Sequence, residues 1–518
     1  MKTMRHNRRL RNLLFLGAVI LILLGIFFRF YNLDKKIYWF DESYTSLWIS
    51  GYSQQEVEAE ISYDQRVPFE NLNRYHGLAE YRKGLPATIE RLAEEDAQHP
   101  PFYYALTYLW THQVGSSPIG FRSLSALIGV LVLPGIYWLG IEVFGNYTAA
   151  LLSTIILAVS PFHILWSQEA RQYNLWILLI ILSSAIFLRS LKTHKKISWA
   201  TYTLSVVLGL YTHAFMTTIV AVHTLYLISC KSLRKQRRKI IIPFVLSLLV
   251  AYMAFLPWAL NIVRSGFGAA GWTSESLSLP TYWKIFTLNI VRTFFDLDFD
   301  SKNPLSYLGI AVLAVVVYAA IHIVRNIRKG HNLFILYICV LPLIPFLAAD
   351  IFLGGQRALV SRYSVGYYLG LELMVIGYLS TKIKTKLSQS MIAIVLCLSI
   401  SSSYHLTQSD LWWNKQFSND NLPISRIINQ YDRPLVLMGK EMRDADILST
   451  SYSIKPEASL MRLSKAKSFS ECNEDTFLLN SSQALAKELT DQGYIVKSVL
   501  QGQKYHLWEI SCGSKESA

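Results

Sequence analysis

The sequence predicts a polytopic α-helical membrane protein that ends in a small α/β domain. Hydrophobic residues make up 52% of the 518-residue chain and charged residues only 16%, which is well below the quarter that is usual in soluble proteins. Apolar runs long enough to cross about 30 Å of hydrocarbon recur along the chain. Basic residues concentrate in the short loops between these runs, where they fix membrane orientation. The net charge of +15 therefore does not indicate nucleic-acid binding, since no basic stretch carries the interleaved aromatics of a single-strand binder.

Apolar length and flanking charge predict about eleven transmembrane helices. The first has the basic flank of a signal peptide, but no small-residue cleavage site follows it, so we expect an uncleaved span. The stretch 197–230 is interpreted as two short helices that meet at the outer face around Tyr211-Thr212-His213. The predicted spans are 13–30, 119–141, 147–166, 172–190, 197–212, 213–230, 240–262, 305–325, 333–353, 361–380 and 389–407.

Loop charge sets the predicted orientation in the inner (plasma) membrane. The connections after the fourth, sixth, eighth and tenth spans are rich in Lys and Arg, which places them and the N-terminus in the cytoplasm. An odd number of spans then puts the C-terminus on the extracytoplasmic side. We expect a transmembrane domain over 1–407, in which 31–118 is a large first extracytoplasmic loop with interfacial helices, and an extracytoplasmic domain over 408–518.

After Thr407 the sequence pattern changes from long apolar segments to short apolar runs. Alternating apolar runs at 435–438, 476–479 and 494–496 are typical of strands, and 482–492 is typical of a helix. These elements predict the α/β fold of the tail. Cys472 and Cys512 both lie there, and a disulfide between them is a hypothesis that an oxidising compartment would favour.

The adjacent acids Asp41 and Glu42 follow the first span closely and stand behind three aromatic residues. One interpretation is structural, because an aspartate before Ser43 can cap a helix N-terminus. The other is catalytic. A carboxylate half-withdrawn from water at the membrane exit has a raised pKa and can take a proton from a hydroxyl nucleophile.

Several further polar residues are expected on the same outer face. His99 precedes two prolines that start an interfacial helix, and it is either a solvated turn residue or part of a site. Arg171 lies at an outer helix end, against the usual charge bias. It either pairs with Glu169 to pin two spans or binds an anion at membrane depth. Further outer arginines favour the anion site, namely Arg264, Arg292, Arg357 and Arg362.

His213 lies between the two short helices, and a broken helix at membrane depth requires a cavity. We expect this histidine to face the same cavity as His99 and Asp41. A divalent metal ion with imidazole and carboxylate ligands is conceivable there, although no ligand spacing supports it.

Together these motifs resemble the membrane-embedded C-type glycosyltransferases that use polyprenyl-phosphate sugars, and within them the protein O-mannosyltransferase and aminoarabinose-transferase group. The resemblance runs from the first span to about residue 370. In place of the Glu-Lys pair that the aminoarabinose enzymes carry before the two prolines, this chain has Gln98-His99. The motifs are Asp41-Glu42; His99-Pro100-Pro101-Phe102-Tyr103-Tyr104; Phe121 to Leu127; Ser160-Pro161-Phe162; Gln168-Glu169-Ala170-Arg171-Gln172-Tyr173; Tyr211-Thr212-His213; and Arg362-Tyr363.

The resemblance implies transfer of a sugar from a polyprenyl-phosphate donor to a lipid, glycan or protein acceptor on the extracytoplasmic face. It implies that Asp41 is the general base, with Glu42 beside it, and that arginines such as Arg171 and Arg362 hold the lipid phosphate. Two other functions stay open, a lipid-linked glycan transporter or flippase and an oligosaccharide polymerase. A transporter often shows repeated halves with paired broken helices, which this chain does not show clearly. The expected substrate-binding residues are His99, Tyr103, Glu169, Arg171, Tyr173, His213, Arg357, Arg362 and Tyr363.

Overall fold

The computed structural model describes residues 2–231, 237–266, 268–298, 303–470, 475–480 and 482–512. The strands are β1 (Arg66–Pro68), β2 (Leu435–Met438), β3 (Ser459–Arg462), β4 (Thr476–Asn480), β5 (Tyr494–Gln501) and β6 (His506–Cys512). The α-helices, in chain order, are α1 (Lys2–Phe30), α2 (Phe40–Ser50), α3 (Gln54–Glu60), α4 (Leu85–Glu95), α5 (Phe102–Val114), α6 (Pro118–Phe144), α7 (Tyr147–Val159), α8 (Pro161–Ser167), α9 (Tyr173–Thr193), α10 (Lys196–Thr212), α11 (Met216–Ser229), α12 (Arg237–Ser265), α13 (Leu279–Arg292), α14 (Gly309–Arg325), α15 (Gly330–Val340), α16 (Ile344–Leu353), α17 (Val365–Thr381), α18 (Lys386–Gln408), α19 (Asn421–Ile428), α20 (Asp444–Ser451) and α21 (Ala484–Asp491).

The chain is a multi-pass membrane protein. Within the described residues, seven helical segments are long and apolar enough to cross a membrane, and the pair α7 and α8, bent by 58°, makes up to eight. Every predicted span contains a helix, but α10, α11 and α17 have 17, 14 and 17 residues, short of the ~20 that a full crossing takes. The count of about eleven spans therefore stays a prediction. The seven segments are Asn12–Phe30, Pro118–Phe144, Tyr173–Thr193, Lys239–Ser265, Pro304–Arg325, Gly330–Leu353 and Lys386–Ser418.

The chain divides into two compact units. The membrane unit comprises 1–33, 96–103 and 122–408, and the mixed unit comprises 34–95, 104–121 and 409–518. The mixed unit thus combines most of the first predicted outer loop with the whole tail. The predicted domain boundary at residue 407 and the predicted sides of the membrane stay predictions.

In the membrane unit, Arg29 stabilises the break between α7 and α8. Pro161 begins α8 and has no backbone N–H, which leaves carbonyl groups at the end of α7 without their helical donors. The fully buried Arg29 guanidinium donates to the carbonyls of Leu157 (3.0 Å) and Ala158 (2.6 Å). Gly25 permits this contact, because a Cβ there would come within 2.2 Å of the Ala158 oxygen. A side chain of α1 thus replaces the missing hydrogen bonds of the bend.

A second buried polar contact joins α8 to α17. His163 Nε2 lies 2.7 Å from Glu372 Oε2, and both side chains are at most 1% exposed. The charge of Arg29 also interacts with Glu372. The short helix α8 is therefore joined to α17 by a buried polar contact, and it leads directly into the segment 168–172.

The mixed unit is built on one six-stranded sheet with the order β1-β3-β2-β4-β6-β5. β2 runs parallel to β3 and β4, whereas the pairs β1–β3, β4–β6 and β5–β6 are antiparallel. The strands predicted at 435–438, 476–479 and 494–496 and the helix predicted at 482–492 are confirmed. β1 was not predicted, and it extends the sheet with a strand from the first outer loop. The core contains Leu435, Leu437, Leu478, Trp508 and Ile510.

His76 is buried between the loop and the tail of this same unit. Its Nε2 lies 2.8 Å from Ser451 Oγ, and its ring stacks on Tyr452 at 3.8 Å. Burial disfavours the imidazolium and lowers the pKa of His76 to about 3. The ring is therefore neutral in the folded protein at physiological pH.

Three cysteines of the membrane unit are free thiols. Cys230 and Cys339 are buried free thiols, and Cys397 in α18 is free and exposed. Cys512, at the end of β6, is disulfide-bonded. The predicted partner Cys472 lies outside the described residues.

Candidate active site

Three side chains of the membrane unit form a hydrogen-bonded chain that ends on an arginine. His99 Nδ1 lies 2.8 Å from Asp96 Oδ1, and Arg171 Nη2 lies 2.8 Å from His99 Nε2. Arginine has only donors, so Nε2 of His99 accepts and Nδ1 carries the proton that is donated to Asp96. The imidazole is thus neutral and fixes the direction of the Arg171 guanidinium. We call Asp96, His99 and Arg171 the arginine relay.

The charges of the arginine relay match its partly buried position. Arg171 is 3% exposed, and the side chains of His99 and Asp96 are 19% and 12% exposed. Burial alone would raise the pKa of Asp96, but the His99 contact and the Arg171 charge lower it overall. Asp96 therefore stays ionised and compensates part of the arginine charge. A cation held in this way, next to the membrane, suits an anionic ligand.

The segment that carries Arg171 is anchored to the end of α1. The Gln168 side-chain amide donates to the carbonyls of Phe28 and Tyr31, both at 2.8 Å. Asn174 donates to the Ser125 carbonyl (2.8 Å) on the other side of the segment. Positions 167 to 174 are all buried, so the backbone around Arg171 is fixed by hydrogen bonds from both of its ends.

His213 belongs to the surroundings of the arginine relay, since the charge of Arg171 acts on it. Its ring stacks on Trp176 with a centroid distance of 3.9 Å and an interplanar angle of 12°. Phe215 contacts the His213 ring at 5.0 Å and the Tyr363 ring at 5.9 Å. Aromatic contacts thus lead from Trp176 through His213 and Phe215 to Tyr363.

Arg362 lies at the end of this aromatic series. Its Cζ is 5.5 Å from the Trp272 ring centroid and 5.7 Å from that of Tyr363, within cation–π range. Arg357 has a different environment, because it binds Asp350 Oδ1 (3.3 Å) and the Ser274 hydroxyl (2.8 Å). The backbone N–H groups of Arg357 and Ala358 also donate to Asp350. Arg357 therefore organises the loop before Arg362.

The remaining predicted substrate-binding residues of this unit are buried. The Tyr103 hydroxyl lies 2.9 Å from Ser125 Oγ, and the Tyr173 ring packs on Trp166 at 4.7 Å. Glu169 is 1% exposed. The structure brings His99, Arg171 and His213 into one electrostatic group, and the ligand roles of all these residues stay predictions.

Asp41 and Glu42 lie in the mixed unit, in the first turn of α2. The N-cap of α2 is Trp39, so the interpretation of Asp41 as the capping residue is wrong. Negative charge in the first turn still stabilises the helix through its dipole. Asp41 is half-buried and follows Phe40, whose ring contacts Tyr44 (5.3 Å). The role of Asp41 as the general base stays a prediction.

Glu42 has a well-defined structural partner. Its Oε2 lies 2.7 Å from Lys415 Nζ, and the two side chains are 0% and 1% exposed. Lys415 also lies 5.4 Å from the centroid of the Trp39 ring. Glu42 thus joins α2 to the start of the tail, which gives it a role in stability beside its predicted role in catalysis.

The sequence analysis did not identify Asp96, Trp176 or Lys415, and it named Gln168 only as part of a motif. Asp96 stands three residues before His99, and this i, i+3 spacing is the one local signal among them. The other contacts join residues that are far apart in the chain. Across the described ranges, no three His, Cys, Asp or Glu side chains are arranged to hold a metal ion.

The fold and these polar groups define a multi-pass membrane protein with a buried cationic site. Residues 98–260 match the family described as dolichyl-phosphate-mannose-protein mannosyltransferase. This segment contains the arginine relay from His99 onward, together with His213. No curated protein sequence matches the chain.

The chain is similar in structure to ArnT from Cupriavidus metallidurans. The form bound to undecaprenyl phosphate is 12% identical, has a TM-score of 0.53, and aligns over 95% of this chain and 97% of that chain. The apo form is 13% identical, with a TM-score of 0.51 and coverages of 90% and 96%. The oligosaccharyltransferase of Archaeoglobus fulgidus is 12% identical, with a TM-score of 0.48 and coverages of 96% and 74%. The predicted resemblance to membrane-embedded glycosyltransferases is confirmed, and the fold is that of ArnT.

Proposed function

We propose that this protein transfers one sugar from a polyprenyl-phosphate donor to an acceptor on the extracytoplasmic face of the inner membrane. The arginine relay is the observation that carries the proposal, because it presents a buried guanidinium in the segment that matches the mannosyltransferase family. The undecaprenyl phosphate bound to the similarly folded ArnT supports a donor of the same lipid-phosphate class.

Arg171 is proposed to hold the phosphate of the donor and of the departing lipid. A guanidinium binds phosphate in a bidentate manner, and its charge stabilises the negative charge that develops as the sugar leaves. His99 and Asp96 fix the orientation of Arg171. Arg362, Tyr363 and His213 are proposed to line the same donor site, with the aromatic rings beside the sugar or the first isoprene units.

Asp41 is proposed as the general base. The acceptor oxygen or nitrogen forms a bond to the anomeric carbon of the sugar while the bond from that carbon to the phosphate oxygen breaks. The acceptor proton passes to the Asp41 carboxylate, and the polyprenyl phosphate leaves as an anion. The reaction needs no nucleotide, and the sequence contains no glycine-rich phosphate loop. The acceptor is a lipid, a glycan or a protein with a hydroxyl or amine group.

The purified full-length protein, incubated with an undecaprenyl-phosphate sugar labelled in the sugar, tests this function. We expect release of the label to an acceptor in a membrane extract, or slow release to water without one. The variant Asp41→Asn should lose release, while Asp34→Asn, which changes an exposed carboxylate in the same unit, should keep it. Binding of the donor without any release would instead support a transporter. Full activity of Asp41→Asn would exclude Asp41 as the base.

A further inference from the structure

Two cations of the mixed unit share one buried carboxylate near α2. Arg443 donates to both oxygens of Asp446, at 2.7 Å and 3.3 Å. Lys504 Nζ lies 2.9 Å from each of the same oxygens. The Tyr505 hydroxyl donates a further hydrogen bond to Asp446 (2.8 Å). One negative charge is thus paired with two positive charges.

The two cations are exposed, and the carboxylates beneath them are not. The side chains of Arg443 and Lys504 are 51% and 31% exposed, while that of Asp446 is 2% exposed. A second carboxylate, Asp420, also acts on Lys504. It is 6% exposed and accepts three backbone N–H groups of residues 503 to 505. The surface therefore presents positive charge, although the buried acids compensate it.

Aromatic rings flank the exposed guanidinium. Arg443 Cζ lies 4.4 Å from the centroid of the Phe40 ring and 5.9 Å from that of Phe417. Phe40, Tyr44 and Phe417 are each half-buried and keep part of their rings accessible. Accessible aromatic faces stack on the C–H face of a sugar, and an oriented guanidinium binds a carboxylate or a phosphate. We call Phe40, Phe417, Arg443 and Lys504 the cationic–aromatic patch.

We infer that the cationic–aromatic patch binds a sugar that carries a carboxylate or phosphate group. Phe40 directly precedes Asp41, so a sugar held here lies beside the proposed base. The biological role of the patch rests on the proposed function: the bound sugar belongs to the acceptor, and the enzyme selects an anionic acceptor glycan. Binding itself does not depend on catalysis, and it is measured separately.

Isothermal titration of the purified full-length protein at low ionic strength tests the inference with three probes, D-glucuronate, D-glucose 6-phosphate and D-glucose. We expect at least one anionic sugar to bind more tightly than glucose. Arg443→Gln should weaken that binding about tenfold, the order of one charge-assisted hydrogen bond. The matched control is Arg426→Gln, which removes an exposed arginine paired with Asp410 in the same unit and should change nothing.

Both test variants retain partners for Asp446. Arg443→Gln leaves Lys504 and Tyr505 on this carboxylate, and Lys504→Gln leaves Arg443 and Tyr505. Either variant therefore reports on binding, provided that its thermal unfolding matches the wild type. Equal binding of all three probes, or unchanged binding in both variants, would overturn the inference. A variant that loses binding of the anionic sugar but still releases the donor sugar would confirm the inference. A wild-type protein that binds anionic sugars but never releases the donor sugar would contradict only the proposed transferase function.

Discussion

Replacement of Glu42 by Gln is expected to destabilise the mixed unit strongly. The variant removes the negative charge of a pair whose atoms are 2.7 Å apart and whose side chains are at most 1% exposed. Breaking a buried ion pair from one side costs about 3–5 kcal/mol, because the other charge stays in the interior without its counter-charge. Asp41→Asn changes a half-buried carboxylate, for which we expect a cost within about 1 kcal/mol.

Thermal unfolding of the purified protein, followed by intrinsic tryptophan fluorescence, separates these outcomes. Glu42→Gln should lower the apparent Tm far more than Asp41→Asn. The double variant Glu42→Leu with Lys415→Met should recover most of the loss, because apolar replacement of a buried pair is often neutral. An unchanged Tm in Glu42→Gln would refute the reasoning.

The same double variant also separates stability from catalysis. If Glu42 acts through the Lys415 contact, the double variant folds and transfers sugar. A folded double variant without transfer would show that the Glu42 carboxylate takes part in the chemistry beside Asp41.

Three further predictions concern the rest of the chain. Arg171→Lys should weaken binding of undecaprenyl phosphate at least about tenfold, because an ammonium cannot reproduce the bidentate geometry. The control Arg325→Gln, which changes an exposed arginine of the same unit, should leave binding unchanged, and equal losses would contradict the assignment. His76 binds a proton in the unfolded state below pH ~6.5 but in the folded state only near its pKa of about 3. The contribution of neutral His76 to the free energy of unfolding is thus fully present above pH ~6.5 and falls by as much as about 5 kcal/mol towards pH 3. The free energy of unfolding, measured against pH, should fall less in His76→Gln than in the wild type, and identical curves would exclude this titration. Arg29→Met should lower the free energy of unfolding by about 1–3 kcal/mol for each α7 carbonyl left without a donor. We expect a lower Tm in this variant and a partly restored Tm in Arg29→Lys; a wild-type Tm in Arg29→Met would show that other contacts stabilise the bend.

Features with a regular local pattern were predictable from the sequence. Apolar length located the seven described helical segments that are long enough to cross a membrane, and short apolar runs located the strands at 435–438 and 476–479. The predicted outer position of Arg171, against the usual charge bias, marked it as a candidate anion ligand, because the charge bias of loops is a property of the chain itself. Counting spans predicted that His99 and Arg171 lie on the same face, and the two side chains are 2.8 Å apart; their role in binding a substrate stays a prediction.

Contacts between distant residues were not predictable from the sequence. Glu42 and Lys415 are 373 positions apart, and no local pattern indicates that one neutralises the other. β1 has only three residues, too few for alternation to identify a strand, so its place in the sheet was missed. The interaction of Arg29 with the bend had a partial signal in Ser160-Pro161, which marks a helix break but does not identify its partner.

Comparative mass spectrometry of envelope glycolipids and glycoproteins tests the central claim most directly. Cells that carry the wild-type gene, the gene with Asp41→Asn, the gene with Asp34→Asn, or no gene are compared at equal protein levels. We predict that the wild type and Asp34→Asn give a product heavier by one sugar residue, and that Asp41→Asn and the deletion lack it. An identical set of glycoconjugates in all four strains would contradict the proposed transferase.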